Sequence, residues 1–522
     1  MAGQREEIEA TLDPSDWGEI RQLGHRVVDD VSDYLQTLRD LPVWRPIPEE
    51  VRRQFKSSVP RKPEGAAKAY EDFRSHVLPY PLGNHHPRFW GWVNGTGIPI
   101  AALAEMLAAT INNNTWGGET SPILVERQVL EWLKELLGFP QEASGLLVSG
   151  GSMANLVGLA VAVDAKAGFD VAEEGLSAAP KRLVLYASEE VHSSVDKAVR
   201  LLGLGFSALR KIPADDEFRI DISQLERAIA SDRADGLHPF CVVGTAGTVN
   251  TGATDPLNQL ADIAQREGMW FHVDGAFGAL SALSPSLKQL TSGMERADSL
   301  GFDLHKWMYL PSEAACTLVR DSEAHRRAFA THAPYLSKQE GGGGVTGTEN
   351  PFNQYGIQLT RSFKALKVWM SIKEYGSDKF AEMIEQNVEQ ARYLAGLIEE
   401  SSHMELLAPV PLNLVNFRFV APGMSEESLD TLNQTLLVRL QESGVAVPSQ
   451  RLIKGRFALC VANTNHRTRR EDFDLLVREV EEIGLELLEE SDKNPPTAER
   501  GTTPRSTWEA PGKGMIGVKG LM

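Results

Sequence analysis

Between about residues 99 and 320 the chain repeats one alternation, and this limits its folds more than any other feature. Short apolar runs recur at Arg182–Ala187 (RLVLYA), Phe240–Thr245 (FCVVGT), Met269–Asp274 (MWFHVD) and Ala314–Val319 (AACTLV), each bounded by turn residues. Runs of this length and apolarity predict strands buried on both faces. Amphipathic stretches such as Asp221–Ala234 and Asp255–Glu267 lie between them. Earlier, Ser121-Pro122 signals a helix start, and Gly138 ends the run ILVERQVLEWLKELLG. Strand–helix alternation predicts an α/β domain with a mostly parallel sheet, which binds ligands beyond the carboxyl ends of its strands.

The flanks read differently. Residues 1–95 form a helical arm with Pro-rich joints. Trp17–Arg39 has helical apolar spacing, and LPVWRPIPEEV follows it. The arm holds too little apolar surface for a core of its own, so it is expected to pack on something else. Residues 96–375 are assigned to the large domain. Within it, residues 336–356 contain Gly341–Gly344 and Gly347 and almost nothing apolar, which predicts a functional or disordered loop. Helical pattern runs from Arg361 to about Glu400. A small C-terminal α/β domain spans 376–490, with NLVNFRFV and ALCVA as strands and helices near Ser425–Glu442 and from Glu471. Residues 491–522 lack periodicity and are read as a mobile tail.

Composition excludes several function classes. The 522 residues carry a net charge of −18, which argues against a nucleic-acid or anionic-membrane surface. No apolar stretch approaches the roughly 18–20 residues of a membrane helix. Cys241, Cys316 and Cys460 form no CxxC pair, so neither a disulfide framework nor a metal cluster is suggested. The polar N-terminus has no signal-peptide core, and a cytoplasmic protein is the expectation.

Three motifs carry chemistry. In Phe302-Asp303-Leu304-His305-Lys306-Trp307 the lysine lies among apolar residues. A lone lysine is ordinarily solvated, but desolvation makes an amine available as a nucleophile. In Phe271-His272-Val273-Asp274-Gly275-Ala276 an aspartate ends an apolar strand, where a sheet opens to a ligand; a turn or helix cap is the plain alternative. Ser149-Gly150-Gly151-Ser152-Met153-Ala154-Asn155 opens an apolar helix with small residues, which suits a phosphate. It matches neither the ATP nor the dinucleotide glycine fingerprint. A phosphate cradle, a buried lysine and a strand-end carboxylate are together what pyridoxal 5′-phosphate requires.

With NHHPRFWGW, TSP, SGGSMANL, ASEEVHSSVDKA, GTVNTGATDP, HVDGAFG and ADSLGFDLHKW in order, the chain resembles the group II pyridoxal-phosphate-dependent amino-acid decarboxylases from about residue 15 to 490. Its pattern is nearest the aromatic-L-amino-acid members. The resemblance implies a type I aminotransferase-like fold and a homodimer with interfacial sites. It implies Lys306 as the Schiff-base lysine and Asp274 as partner of the ring nitrogen. Ala276 would lie against the ring and His192 would stack on it. Gly151 and Ser152 fall on the phosphate turn, and His305 and Thr248 would help hold phosphate or ring. The family often has Asn where this chain has Asp303, so a structural or lysine-pairing role stays open there beside cofactor binding.

Ala333-Pro334-Tyr335-Leu336 matches the family's catalytic loop, whose tyrosine supplies a proton after CO2 departs. Relatives with Phe at that position tend towards aldehydes, so Tyr335 with His192 favours simple decarboxylation. For the substrate, the resemblance points to Trp92, Val93, Trp116 of the partner subunit, and Arg361. An apolar wall of this kind suits an aromatic L-amino acid. Asn94, Gly95 and Asn112–Asn114 depart from the aromatic pattern and leave room for an acidic or small amino acid. That alternative needs a cation, for which Arg88 or His86 are the candidates. A catalytically inactive binding dimer is a third reading, which intact Lys306, Asp274, His192 and Tyr335 oppose.

Overall fold

The computed structural model describes residues 9–331 and 350–493. Its centre is a seven-stranded sheet in the order β1-β7-β6-β5-β4-β2-β3. The strands are β1 (Ser144–Val148), β2 (Leu183–Ser188), β3 (Leu209–Ile212), β4 (His238–Thr245), β5 (Trp270–Asp274), β6 (Ser299–Asp303) and β7 (Ala315–Val319). β3, β2, β4, β5 and β6 run parallel, and β7 is antiparallel to both β6 and β1. The chain thus has the α/β fold with a mostly parallel sheet that the alternation predicts.

Both faces of the sheet are covered, as the apolar runs require. On β5, His272 faces the helix Gly151–Lys166, where a Cβ added at Gly158 would lie 2.7 Å from the imidazole. Strand alternation puts Trp270 and Asp274 on that same face. Phe271 and Val273 point the other way, into the apolar cluster that includes Leu257, Leu260 and Ile263 of the helix Leu257–Glu267.

The expected helices sit close to their predicted bounds. Asp221 accepts from the N–H groups of Ser223 and Gln224 to cap Ile222–Ala234. Gly138, in the left-handed conformation at φ 65°, ends Ser121–Leu137. The helix expected from Arg361 starts later, at Ala365, and runs to Glu400 with a kink at Gly376. A second, antiparallel sheet has the order β10-β11-β9-β8, from β8 (Met404–Leu406), β9 (Leu414–Phe419), β10 (Ser449–Ile453) and β11 (Arg456–Ala462). Helices Glu426–Glu442 and Arg470–Lys493 pack on it. No helix among the described residues is long and apolar enough to cross a membrane.

Candidate active site

Register sets the floor of the site. Thr245 at the end of β4 pairs with Asp274 at the end of β5, and Asp274 pairs with Gly301 of β6. Polar residues that end parallel strands therefore meet at one edge of the sheet. Asp274 is only 2% exposed. Its Oδ1 accepts a hydrogen bond from the Ala276 N–H at 3.1 Å, and its Oδ2 is buried with no partner. Burial pushes its pKa up, against the downward pull of the Ala276 N–H, His192, Lys306 and the Asn155 amide. A buried carboxylate oxygen without a donor is costly unless a ligand supplies one.

β6 ends at Asp303, and the single turn Leu304–Trp307 that follows presents Lys306. The apolar setting is there: Leu304, Trp307, Met308 and Tyr309 are all buried. The amine is nonetheless half of an ion pair, with Nζ 2.8 Å from Asp303 Oδ2. Asp303 Oδ1 has no hydrogen-bond partner. His305 Nδ1 donates to the Ala314 carbonyl at 2.9 Å, so donation from Nε2 as well requires the imidazolium form.

The helix Gly151–Lys166 starts beside this turn, with no side chain capping its first N–H groups. A Cβ at Gly151 would lie 2.8 Å from Asp303 Oδ2 and 2.9 Å from the Ala276 Cβ, so the close approach needs glycine. Ser152 is exposed in the first turn of the helix. His192 caps the helix Ser193–Leu201, and its Nδ1 accepts from the Ser194 N–H at 3.2 Å.

Above the floor lies a cavity of about 360 Å³, the low end of the range for small-molecule sites. Asp274, Ala276, Lys306, His192, Trp92 and Val93 all line it. Several expected residues stand elsewhere. Thr248 is buried with its hydroxyl 3.0 Å from that of Thr251 and does not line the cavity. Arg361 is buried in an ion pair with Glu126, and it also donates to the carbonyls of Thr115 and Leu147. Those partners hold its guanidinium away from the cavity. Trp116 does not line the cavity of its own chain. Tyr335 lies outside the described residues.

The residues named for a polar pocket are also placed differently. Asn94 donates to the Gly91 carbonyl at 3.3 Å. A Cβ at Gly95 would lie 1.6 Å from the His305 carbonyl oxygen, so this glycine packs against the back of the lysine turn. Arg88 donates to the Val445 carbonyl, and His86 is buried against the Leu41 carbonyl. Beside Asp274, Lys306 and His192, the polar residues that line the cavity are Thr245, Asn250 and Arg451. Thr245 Oγ1 is buried without a partner, and so is Arg451 Nε. Thr245 was open to the same strand-end argument as Asp274. Arg451 was not, because SQRLI has no apolar run to mark it as a strand.

The family model described as the pyridoxal-dependent decarboxylase conserved domain matches residues 48–420. The chain belongs to this family. An aromatic-L-amino-acid decarboxylase from Bacillus atrophaeus is 32% identical over 473 residues, 90% of this chain and 96% of that protein. A phenylacetaldehyde synthase from Arabidopsis thaliana is 28% identical over 459 residues, 86% of this chain and 92% of that protein. The crystal structure of Oryza sativa TDC with PLP and tryptamine matches with a TM-score of 0.84 at 27% identity, covering 91% of this chain and 100% of that one.

This decarboxylase therefore uses pyridoxal 5′-phosphate. Its residues fit that group on their own chemistry. Asp274 Oδ2 lacks the donor that a protonated ring nitrogen provides. The uncapped helix at Gly151 offers N–H groups to a phosphate. Asp303 is the one neighbour that does not suit a phosphate when ionised, and its pairing with Lys306 offsets that charge.

Proposed function

We propose that this decarboxylase converts an aromatic L-amino acid to its amine and CO2, acting as a homodimer. The observation that carries the reading is the unpartnered Asp274 Oδ2 beside Lys306 and His192, under an apolar wall of Trp92, Val93 and Phe277. The cofactor, when bound, supplies an aldehyde for the substrate amine and a ring that takes up electrons as the carboxyl group leaves. In this reading the Lys306 amine would hold the aldehyde carbon when the cofactor is bound. Asp274 keeps the proton on the ring nitrogen. Gly151, Ser152 and His305 would hold the phosphate, and His192 would bear on the ring. The bond from the α-carbon to the carboxylate breaks, and the Tyr335 phenol gives its proton to that carbon. The phenol recovers a proton from solvent.

A dimer is supported by apolar surface that this chain leaves uncovered. The helix Trp17–Gln36 buries none of its residues, and Leu103, Met106, Leu107 and Ile111 of the helix Pro99–Ile111 are exposed. A second copy covering both helices matches the unpartnered arm read from the sequence.

Arg451 favours a second reading, in which the substrate side chain is acidic. A cation held on the α-carboxylate would stabilise charge that vanishes as CO2 leaves, which opposes the reaction. It suits a carboxylate that persists. The two readings separate on a panel of L-amino acids assayed for CO2, with parent and Arg451→Met compared. The aromatic reading predicts turnover of aromatic acids, retained in Arg451→Met. Turnover confined to acidic amino acids, lost by at least about tenfold in Arg451→Met, would replace it with the second reading.

A further inference from the structure

We infer that His272, Asn155 and Ser194 are positioning residues, a directed hydrogen-bond chain that fixes His192 with its proton on Nε2 and facing the cavity. The inference rests on His192 belonging to the reaction site, as proposed above.

The chain begins at Trp270, whose Nε1–H can only donate. It gives its hydrogen to Ser299 Oγ at 2.8 Å. Ser299 Oγ lies 2.8 Å from His272 Nδ1, and His272 Nε2 lies 3.1 Å from Asn155 Oδ1. Asn155 Nδ2 donates to Ser194 Oγ at 2.9 Å, and Ser194 Oγ lies 2.9 Å from His192 Nδ1. One assignment gives every gap one hydrogen. Ser299 donates to His272 Nδ1, His272 Nε2–H donates to Asn155, Asn155 donates to Ser194, and Ser194 donates to His192 Nδ1. The Asn155 amide also lowers the proton affinity of Asp274. A reversed amide would aim its oxygen at that carboxylate instead.

The end of the chain is fixed independently. The Ser194 backbone N–H, a donor in every protonation state, also points at His192 Nδ1 from 3.2 Å. Nδ1 is therefore an acceptor, and the neutral ring carries its proton on Nε2. Among the described residues Nε2 has no protein partner, and the ring lines the cavity.

Two glycines show that the fold makes room for this chain. A Cβ at Gly158 would lie 2.7 Å from His272 Cε1 and 3.1 Å from Ser299 Oγ. A Cβ at Gly301 would lie 2.7 Å from Asn155 Oδ1. Every member from Trp270 to Ser194 is buried, so water does not substitute for a lost link. Burial holds both histidines towards the neutral form, His272 down to about 3. The charged groups bearing on His192 are Asp274 on β5, Lys306 and Asp303 at the end of β6, and Lys197 on its own helix.

The test uses the full-length protein with 15N-labelled histidine, read with and without cofactor. The parent is expected to show His192 as the Nε2–H tautomer alone. Ser194→Ala removes one donor to Nδ1 and leaves the charge unchanged. It should raise the pH at which His192 protonates by roughly half to one unit, with the acid limb of kcat/KM moving alongside. Ser194→Thr, which keeps the hydroxyl, should restore both. A merely structural role would lower activity equally at every pH and move neither midpoint. Should Ser194→Ala not fold, Ser194→Cys, which keeps the shape and charge but donates only weakly, should give an upward shift of the same sign. A parent His192 protonated on Nδ1, or a midpoint unmoved in the folded variant, overturns the inference. The tautomer in cofactor-free protein reads out whatever the substrate is, so a wrong substrate assignment is told apart from a wrong chain.

Discussion

Asp274 and Asp303 end neighbouring strands, and both are buried with one oxygen unpartnered. Only Asp303 has a cation in contact, Lys306 at 2.8 Å. The difference separates a carboxylate already ion-paired within the chain from one with no cation in contact. Tyr335 acts later in the proposed reaction, and its contribution can be isolated. A positioned phenol makes protonation of the α-carbon the faster branch, worth roughly 10²–10⁴-fold. Tyr335→Phe keeps the ring and removes the donor. In air it should make less amine and release more aldehyde and peroxide, with O2 as the oxidant. Product quantification by chromatography and a peroxide assay checks this, and clean amine at the parent rate would remove Tyr335 from the role. Lys306, Asp274 and His192 all line the cavity; Asp274 was legible as the end of an apolar strand, Lys306 from its apolar flanks, and His192 only from the resemblance. The resemblance alone names Thr248; its neighbours Gly247, Val249 and Asn250 line the cavity, and tertiary packing turns Thr248 itself towards Thr251.

At the scale of elements, the lysine turn depends on what stands behind it. Gly95 meets the His305 carbonyl so closely that an added Cβ would lie 1.6 Å from its oxygen. Backbone cannot rotate aside as a side chain can. Gly95→Ala should therefore displace the turn Leu304–Trp307, destabilise the protein by about 1–3 kcal/mol or more, and lower cofactor retention. Thermal unfolding together with cofactor content after gel filtration measures both, and a variant unchanged in each would refute the packing argument. The strongly apolar β2, β4, β5 and β7 could be read from sequence. β6 could not, since SLGFD mixes Ser, Gly and Asp with its apolar residues, although it is buried throughout. β3 and β10 (LRKI and SQRLI) are too polar to be marked by hydrophobicity, and their pairing with longer neighbours defines them.

For the whole molecule, burial of neutral histidines sets an acid limit. His86, His272 and His466 are pushed down to about 3, and His85 and His325 to about 4, in each case mainly by burial. Their folded-state values lie below the unfolded one, so the unfolded chain binds more protons as the pH drops. Stability is thus present above the unfolded histidine value of about 6.5 and is lost as pH falls towards the folded values. Asp255, raised to about 6 by burial, works the other way, as do Asp274 and Asp298, also raised by burial, but these are three groups against five. The thermal midpoint should fall steadily from about pH 7 to about pH 5; a midpoint that rises over that range would contradict the assignment of neutral buried histidines.

The central claim is that Lys306 and Asp274 equip this fold to decarboxylate an aromatic L-amino acid. The most direct measurement incubates the cofactor-loaded protein with aromatic L-amino acids and quantifies CO2 and amine together, beside Lys306→Ala. The account predicts CO2 and amine in equal amounts from the parent and neither from the variant. No CO2 from any aromatic acid, or equal turnover by a folded Lys306→Ala, would contradict it.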